Sequence, residues 1–323
     1  MSDFYPTPVL ISICIPAYKN ISHLKRLLDS VSTQTLQNYE VIITDDSPDD
    51  SVKHFIESYT AIKHLHYYKN QPALGTPENW NESIRRANGT WIKLMHNDDW
   101  FASDSSLQTF YDHSLRHKDC KFFFSAFQNI TEDTGHKQVV RCNAYDQAVL
   151  KASPLHLFRR VYVGNPSCTF IKRDVGLWYD NRFKFVVDFE YYIRCIRKLK
   201  RWHYIDEVLL NIGFHSDQVT KYTFMNPAVQ IPENYVMLRQ FGATILRNIM
   251  VYDYYWRIHR NLGVRSIEDV KKYYTEPINP FLKRLIRFQS KMPASMLKIG
   301  IASKLMMLLS YASSLFYKTA TAK

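Results

Sequence analysis

The chain has 323 residues, of which 46% are hydrophobic, so it can bury a full-sized core and is not disordered. The formal net charge of +12 is concentrated towards the C-terminus, which does not favour a nucleic-acid-binding surface spread over the whole protein. Five scattered cysteines without a Cys-x-x-Cys pair argue against a disulfide framework and a zinc site and favour a reducing compartment.

The N-terminal segment lacks the features of a signal peptide. Residues 1–8 contain an acid and two prolines but no basic cluster. We therefore interpret the apolar run at residues 9–15 as a first strand. On this interpretation the protein is expected to be cytoplasmic.

Strand-like and helix-like runs alternate through the first half of the chain. Apolar residues at helical spacing predict a helix over residues 21–31. The elements predicted next are a strand at 39–44, a helix at 51–59, a strand at 64–68, a helix at 77–87 and a strand at 91–95. Such repeated units predict an α/β fold with a mainly parallel sheet flanked by helices, and ligands at the carboxyl ends of the strands.

Two of the predicted strands end in clusters of acidic residues. The sequence DDSPDD at residues 45–50 follows one strand, and Asp98-Asp99 follows another. The chain contains neither of the common glycine-rich phosphate loops and only nine glycines, so phosphates would need another partner. A divalent cation held by carboxylates is a suitable partner. Each cluster is also compatible with a turn or a helix cap.

The pattern is less regular after Asp99. Helices are predicted at 107–115, in the middle of 145–162 and from 189 to about 200, strands at 121–127 and 168–172, and polar connections at 133–143 and around residues 201–202. A change of composition at residues 222–232 predicts a domain boundary. The chain would then consist of an α/β domain over residues 1–222 and a helical region over residues 223–323.

The C-terminal region combines positive charge with amphipathic patterns. From residue 277 onward there are no acidic residues and eight basic ones, namely Lys283, Arg284, Arg287, Lys291, Lys298, Lys304, Lys318 and Lys323. Apolar residues recur at helical spacing at 281–288 and 297–316, with Ser303, Ser310 and Ser314 on the opposite face of the second run. This combination predicts helices lying on an anionic membrane surface, at about 1 kcal/mol per basic residue. A solvated helix is the alternative, and a spanning helix is disfavoured by Lys304.

Four segments, taken in order, resemble glycosyltransferase family 2, the nucleotide-sugar transferases with a GT-A (nucleotide-diphospho-sugar transferase) fold. They are residues 11–18 (ISICIPAY), 34–47 (QTLQNYEVIITDDS), 81–92 and 188–194. The resemblance covers about residues 9–220 and implies that residues 1–222 form a GT-A catalytic domain with a C-terminal helical extension.

The resemblance implies how a nucleotide-sugar donor would be bound. Asp98 would be the main ligand of Mn²⁺ or Mg²⁺ on the diphosphate, while Asp99 would share the metal or bind the ribose. Asp46 would accept a hydrogen bond from a pyrimidine N–H. Main-chain contacts to the nucleotide would come from Pro16, Ala17 and Tyr18.

The resemblance also implies a catalytic base and three further candidates. Asp188 would be the base of an inverting transfer, and its apolar sequence neighbours predict a raised pKa. Glu190 is a second candidate for the base or for an acceptor contact. His96 stands two positions before Asp98, where the family has an aspartate, and a neutral imidazole can ligate manganese. His215 matches a histidine near the diphosphate, although an ordinary surface histidine is the alternative.

The resemblance therefore implies a glycosyltransferase of the hexosyltransferase type that adds one sugar, with a UDP-sugar as the favoured donor. The Gln-x-x-Arg-Trp motif of processive synthases is missing. The acceptor would be a lipid-linked oligosaccharide or glycolipid of bacterial surface polysaccharide, such as O-antigen or capsule, reached from the inner face of the cytoplasmic membrane. The alternative is an inactive family member that acts as a basic membrane or nucleic-acid interaction protein. Serines and aliphatics between the basic residues argue against nucleic acid.

Overall fold

The computed structural model describes residues 8–215 and 223–315. These residues form two compact units. The sheet unit contains residues 8–151, 162–183 and 187–215, and the helical unit contains residues 152–161, 184–186 and 223–315. The last residues of the predicted 297–316 helix and of the basic tail lie outside the described ranges.

The sheet unit is built on a mixed sheet in which the central strands are parallel. Its strands among the described residues are β1 (Ile11–Ala17), β2 (Tyr39–Asp45), β3 (Leu65–Lys69), β4 (Trp91–Leu94), β5 (Trp100–Phe101), β6 (Phe122–Thr131), β7 (Lys137–Val140), β8 (Thr169–Lys172) and β9 (His203–Phe214). Their order is β3-β2-β1-β4-β8-β6-β9-β5, and β7 pairs with β6. Strands β1 to β4 are mutually parallel, as is the pair β6 and β9, whereas β5, β7 and β8 run antiparallel to their neighbours. The predicted α/β fold with a mainly parallel sheet is confirmed.

Helices accompany the strands of the sheet unit. They are α1 (Ile21–Ser32), α2 (Ser51–Ser58), α3 (Glu78–Arg85), α4 (Ser106–Arg116), α5 (Ala144–Ala152) and α6 (Val187–Leu199). Every residue of β1 and β2 is buried, which explains why both strands read as continuous apolar runs. Helix α1 buries Leu24, Leu27, Leu28 and Val31, the face that its spacing predicted.

Three features of the sheet unit differ from the sequence prediction. The predicted polar connection at 133–143 contains β7, which pairs with β6. The long strand β9 was not predicted, because its polar residues and the register shifts opposite Ser125 and Ala126 break the alternation that marks a strand. Helix α6 begins at Val187 and so includes Asp188 in its first turn, whereas the sequence predicted a helix from Phe189.

The helical unit consists of α7 (Pro227–Phe241), α8 (Ile249–Asn261), α9 (Ile267–Lys271), α10 (Pro280–Ser290), α11 (Ala294–Lys298) and α12 (Gly300–Leu315). The large side chains of Tyr252, Tyr255 and Trp256 on α8 are fully buried within it. Among the described residues, no helix combines the length and the apolar character needed to cross a membrane.

Helix α12 packs through its polar face. Ser303, Ser310 and Ser314 are buried, and the hydroxyls of Ser303 and Ser310 lie 3.1 Å from Trp256 Nε1 and 2.7 Å from the Tyr252 hydroxyl. The opposite, apolar face is exposed, and it contains Ile301, Leu305, Leu308, Leu309, Ala312 and Leu315. Two opposed faces were predicted from the sequence. The structure shows that the serine face packs against the rest of the helical unit.

Candidate active site

The carboxyl ends of β1, β2 and β4 lie side by side and carry most of the predicted site residues. Strand β1 ends at Ala17, β2 is followed by Asp46, and β4 leads into the segment from His96 to Asp99. The backbone N–H of Asp46 donates to the Ala17 carbonyl at 3.0 Å. The parallel pairing of these strands therefore brings the predicted nucleotide and metal segments to one edge of the sheet.

A tight turn after β4 makes three candidate metal ligands converge. The N–H of Asp99 donates to the carbonyl of His96 at 3.1 Å, so the chain is not extended at this point. Adjacent aspartates on an extended strand would point to opposite sides. Here one ligand atom from each of His96, Asp98 and Asp99 lies within 4.8 Å of the others.

Two of these side chains contain buried polar atoms without a partner among the described residues. They are Nε2 of His96 and Oδ1 of Asp99. The other carboxylate oxygen of Asp99 accepts a hydrogen bond from Asn165 Nδ2 at 2.7 Å. An unpaired buried acceptor is costly, and a divalent cation bound in this cluster would offset that cost. The donor set of two carboxylates and one imidazole suits Mn²⁺, and less closely Mg²⁺.

Burial sets the charge state of this cluster. Burial, followed by the neighbouring charge of Asp98, raises the pKa of the Asp99 carboxyl well above its usual range. Burial also lowers the pKa of His96, so its imidazole is neutral at pH 7, which is the form that binds metals. A cation would favour the ionised form of Asp99.

Residues from the end of β9 surround Asp98. His215 Nε2 lies 3.2 Å from Asp98 Oδ2, and the His215 ring packs on His23 with centroids 4.5 Å apart. A Cβ atom on Gly213 would lie 2.6 Å from the Asp98 carbonyl oxygen, so the approach of β9 requires a glycine. The structure thus brings His215 next to a candidate metal ligand.

The charged side chains of Arg26 and Glu132, which the sequence did not single out, hold this region together. Arg26 Nη2 donates to the Asp98 carbonyl at 3.0 Å and to Glu132 Oε1 at 2.7 Å. His23 Nε2 lies 3.0 Å from Glu132 Oε2. Because Arg26 is one of several polar residues in α1, its sequence position gave no signal for this role.

The carboxylate of Asp46 is engaged by the loop at residues 70–75. It accepts hydrogen bonds from Asn70 Nδ2 at 2.8 Å, from the Leu74 N–H at 3.0 Å and from the Gly75 N–H at 2.7 Å. An ionised carboxylate has about four acceptor sites, so base binding would use the remaining one or displace part of this loop. Tyr18, at the end of β1, has a 55% exposed side chain beside this edge of the sheet.

Asp188 lies in the first turn of α6 and is partly buried. Burial raises its pKa to about 7, as its apolar neighbours predicted. Burial raises the pKa of the Cys168 thiol, and the charges of Asp99 and Asp188 raise it further. Tyr192, one turn further along α6, donates to the Gly164 carbonyl at 3.2 Å, and the next residue, Asn165, donates to Asp99 at 2.7 Å, so α6 packs against the segment that contacts the candidate metal ligands.

Glu190 has a different environment. It is fully buried, and its two carboxylate oxygens accept hydrogen bonds from Arg194 Nε and Nη2 at 2.5 and 2.8 Å. A buried carboxylate in a bidentate ion pair anchors its helix and is poorly placed to accept a substrate proton. This geometry favours Asp188 over Glu190 as the base.

Two residues before β8 also support the site and were missed in the sequence. Asn165 donates to Asp99, and the Ser167 hydroxyl accepts the His96 N–H at 2.9 Å. The signal that could have found them is the Gly-Asn-Pro-Ser turn at residues 164–167 directly before a predicted strand.

Comparison with known proteins identifies relatives of this chain. A sequence profile described as Glycosyl transferase family 2 matches residues 12–175. Abequosyltransferase RfbV of Salmonella typhimurium is 33% identical over 110 residues, which are 32% of this chain and 33% of that protein. The uncharacterized glycosyltransferase RT0329 of Rickettsia typhi is 25% identical over 217 residues, or 65% of this chain and 66% of that protein.

Two solved structures share the fold. Staphylococcus aureus TarS 1–349 in complex with UDP-GlcNAc has a TM-score of 0.56 at 12% identity and covers 94% of this chain and 90% of its own. Mannosyltransferase PcManGT from Pyrobaculum calidifontis, in complex with GDP-Man and Mn²⁺, also has a TM-score of 0.56 at 12% identity, over 96% of this chain and 87% of its own. These similarities show the GT-A fold.

The curated relatives are matched over limited parts of their length. The matched region is 14% of glycosyltransferase GlyA of Streptococcus pneumoniae and 66% of RT0329, which is less than two thirds of each. The family profile, in contrast, covers half of this chain and contains the segments around Asp46 and Asp98. The chain belongs to glycosyltransferase family 2.

Proposed function

We propose that the protein transfers one sugar from a nucleotide-diphosphate sugar to an acceptor hydroxyl with inversion of configuration, with the help of a divalent cation at Asp98 and Asp99. The observation that carries this proposal is the convergence of His96, Asp98 and Asp99 at the carboxyl edge of the sheet, together with the unpaired buried atoms of His96 and Asp99. The family to which the chain belongs and the named ligands of the two solved structures support it.

The proposed donor is a nucleotide sugar, with a UDP-sugar favoured. UDP-GlcNAc occupies TarS, and GDP-Man occupies PcManGT. In this chain, Asp46 would recognise a pyrimidine N–H after partial displacement of the 70–75 loop, and main-chain atoms of Pro16 and Ala17 would contact the nucleotide. The exposed ring of Tyr18 offers a surface on which a base can stack.

The proposed reaction replaces one bond of the donor sugar. The acceptor oxygen attacks the anomeric carbon as the bond from that carbon to the diphosphate oxygen breaks, and the acceptor proton passes to the Asp188 carboxylate. When bound, the cation offsets the charge that develops on the departing diphosphate. His215, beside Asp98, would contact the same diphosphate as a hydrogen-bond donor. Asp188, with its pKa of about 7, can accept and release a proton near neutral pH.

The proposed acceptor is a lipid-linked glycan at an anionic membrane surface, in the synthesis of a bacterial surface polysaccharide such as O-antigen or capsule. The observation that favours a membrane is the outward apolar face of α12, where the exposed fractions are 87% for Ile301, 53% for Leu305 and 51% for Leu309. A row of this kind is unfavourable in water and suits the boundary between headgroups and acyl chains.

Charge favours an anionic bilayer as the partner of this face. The described residues 277–315 include no acidic side chain, whereas Arg287, Lys291 and Lys298 are basic and exposed. Each basic residue near such a lipid surface contributes about 1 kcal/mol of binding energy. We therefore propose peripheral attachment to the inner face of the cytoplasmic membrane through α12.

The proposed transfer can be tested directly. The purified chain is incubated with a set of nucleotide sugars, Mn²⁺ or Mg²⁺, and lipid-linked acceptors extracted from bacterial membranes, and release of nucleoside diphosphate is measured. We expect release with one donor and its loss in Asp98→Asn and Asp188→Asn. Activity that survives both substitutions would contradict the proposal. Absence of release with every donor, together with intact vesicle binding, would favour the alternative of an inactive membrane-binding family member.

A further inference from the structure

Three histidines form a second cluster in the sheet unit. His113 lies in the last turn of α4, His117 caps that helix, and His203 is the first residue of β9. Nδ1 of His113 lies 3.0 Å from Nε2 of His203, and the rings of His117 and His203 stack with centroids 3.7 Å apart. One ring nitrogen from each histidine lies within 4.8 Å of the other two.

This histidine cluster lies at the end of the strands opposite to the candidate active site. Strands β4 and β6 are both antiparallel to β8, and β9 is parallel to β6, so β4 and β9 point the same way. Asp98 follows the end of β4, whereas His203 is at the start of β9. A ligand of the histidine cluster is therefore separate from the donor site.

The three histidine side chains of the cluster are partly buried. Neutral imidazole is the form of histidine that ligates metals.

We propose that His113, His117 and His203 bind one Zn²⁺ ion, which links the end of α4 to the start of β9. Histidines four residues apart at a helix end, with a third from a neighbouring strand, supply three nitrogen ligands and leave a fourth position for water. Nε2 of His113 lies 3.8 Å from Oε1 of Glu207, where a carboxylate can orient a ligating imidazole. The scattered cysteines of the sequence argued against a zinc site, but that argument did not extend to histidines.

Zinc binding can be measured by calorimetric titration of the full chain, without an affinity tag and after removal of metals, in excess Mg²⁺ to occupy the donor site. We expect one Zn²⁺ per chain, a rise in Tm on zinc binding and, with Co²⁺, visible absorption bands of a tetrahedral site. His117→Gln and His203→Gln should lose at least about ten-fold in zinc affinity. Glu207→Gln keeps all three ligands and changes only a carboxylate 3.8 Å from the His113 ring, so it should weaken zinc binding by a smaller factor than either histidine variant.

Two controls separate this site from other histidines and from the catalytic cation. His54, exposed on α2, lies outside the cluster, and His54→Gln should bind zinc like the wild type. Asp98→Asn should also keep the zinc stoichiometry, so failure of the proposed transfer would leave this result unchanged. Because Glu207 has a 62% exposed side chain, its variant should fold even if a histidine variant does not. No zinc uptake by the wild type, or equal affinity in Glu207→Gln and the histidine variants, would overturn the proposal.

Discussion

Two regions of the protein reverse the usual distribution of polar and apolar side chains. Around the end of β4, ionisable groups are buried, with Asp99 only 1% exposed and Lys93 fully buried. On α12, serines are buried and leucines face outward. In most proteins, aspartate and lysine are among the residues most rarely buried, and large exposed apolar rows are uncommon.

The two regions differ in shape, and the shape of each region indicates what it binds. His96, Asp98 and Asp99 each bring one ligand atom within 4.8 Å of the others, as expected for a site that holds an ion and the phosphates attached to it. The apolar residues of α12 form a stripe from Ile301 to Leu315, about 21 Å long at 1.5 Å per residue. A stripe of this length fits an extended apolar surface and not a small ligand. The following predictions test whether each region acts through its own partner.

The largest effect is expected from Asp188→Asn. The amide has the same size but cannot accept the acceptor proton, so kcat should fall by about 10²–10⁴-fold while the KM for the donor changes little. Asp174→Asn, an exposed aspartate paired with Lys121, is the matched control and should retain full activity. The assignment of the base would be wrong if Asp188→Asn transferred sugar at more than half the wild-type rate.

Asp98→Asn should reduce kcat/KM by roughly 10³-fold, because charge stabilisation by the cation is worth several kcal/mol. Chelation of divalent metals should have a similar effect in the wild type, and adding Mn²⁺ should restore activity. Vesicle binding should remain unchanged in both cases, since α12 does not contribute to metal binding. Asp104→Asn, at an exposed position, is the control. Full activity after chelation would show that the transfer does not need a cation.

Much of the fold and part of the site could be predicted from sequence because they depend on local patterns. The continuous apolar runs of β1 and β2 and the acids after β2 and β4 are such patterns. The role of Asp46 was less predictable, since two of its three partners are backbone N–H groups, which any sequence can supply. The site contacts of Arg26 arise from the packing of α1 and were equally inaccessible.

The contribution of β9 could not be predicted for a different physical reason. Its pairing with β6 shifts register twice, so its side chains do not alternate regularly between buried and exposed. The close approach of Gly213 to Asp98, and with it the position of His215, depends on that pairing. Likewise, helical spacing predicted two faces for α12, but only its packing on Tyr252 and Trp256 shows which face is outside.

The double variant Leu305→Ser/Leu309→Ser should weaken binding to anionic phosphatidylglycerol vesicles by about 10²-fold. The estimate assumes a loss of about 1.5 kcal/mol for each leucine that no longer inserts. Leu115→Ser changes a leucine with a similar exposure of 49% on α4 and should bind like the wild type. Co-sedimentation measures the effect. If the variant instead converts a wild-type dimer to a monomer with unchanged sedimentation, the stripe is a contact between copies of the chain.

The pH dependence of transfer should follow the ionisation of Asp188. Because its pKa is raised to about 7, the carboxylate is the main form above that pH and the protonated acid is the main form below it. Only the carboxylate can accept a proton, so kcat should rise with pH and level off above 7, and at pH 6 it should be about ten-fold below the plateau. The residual rate of Asp188→Asn should lack this dependence. An identical profile in both proteins would assign the ionisation to another group.

The smallest effect is expected from Tyr252→Phe, which removes the hydroxyl that pairs with Ser310 at 2.7 Å. Loss of a buried neutral hydrogen bond should lower the free energy of unfolding by about 1 kcal/mol, measured by urea titration. Vesicle binding should not change, because Tyr252 contacts the buried face of α12. Leu305→Ser should behave in the opposite way: an exposed substitution of this kind changes stability by less than about 0.5 kcal/mol, yet it should weaken vesicle binding. If Leu305→Ser lost as much stability as Tyr252→Phe, the apolar face would be part of the fold and would not be available to a membrane.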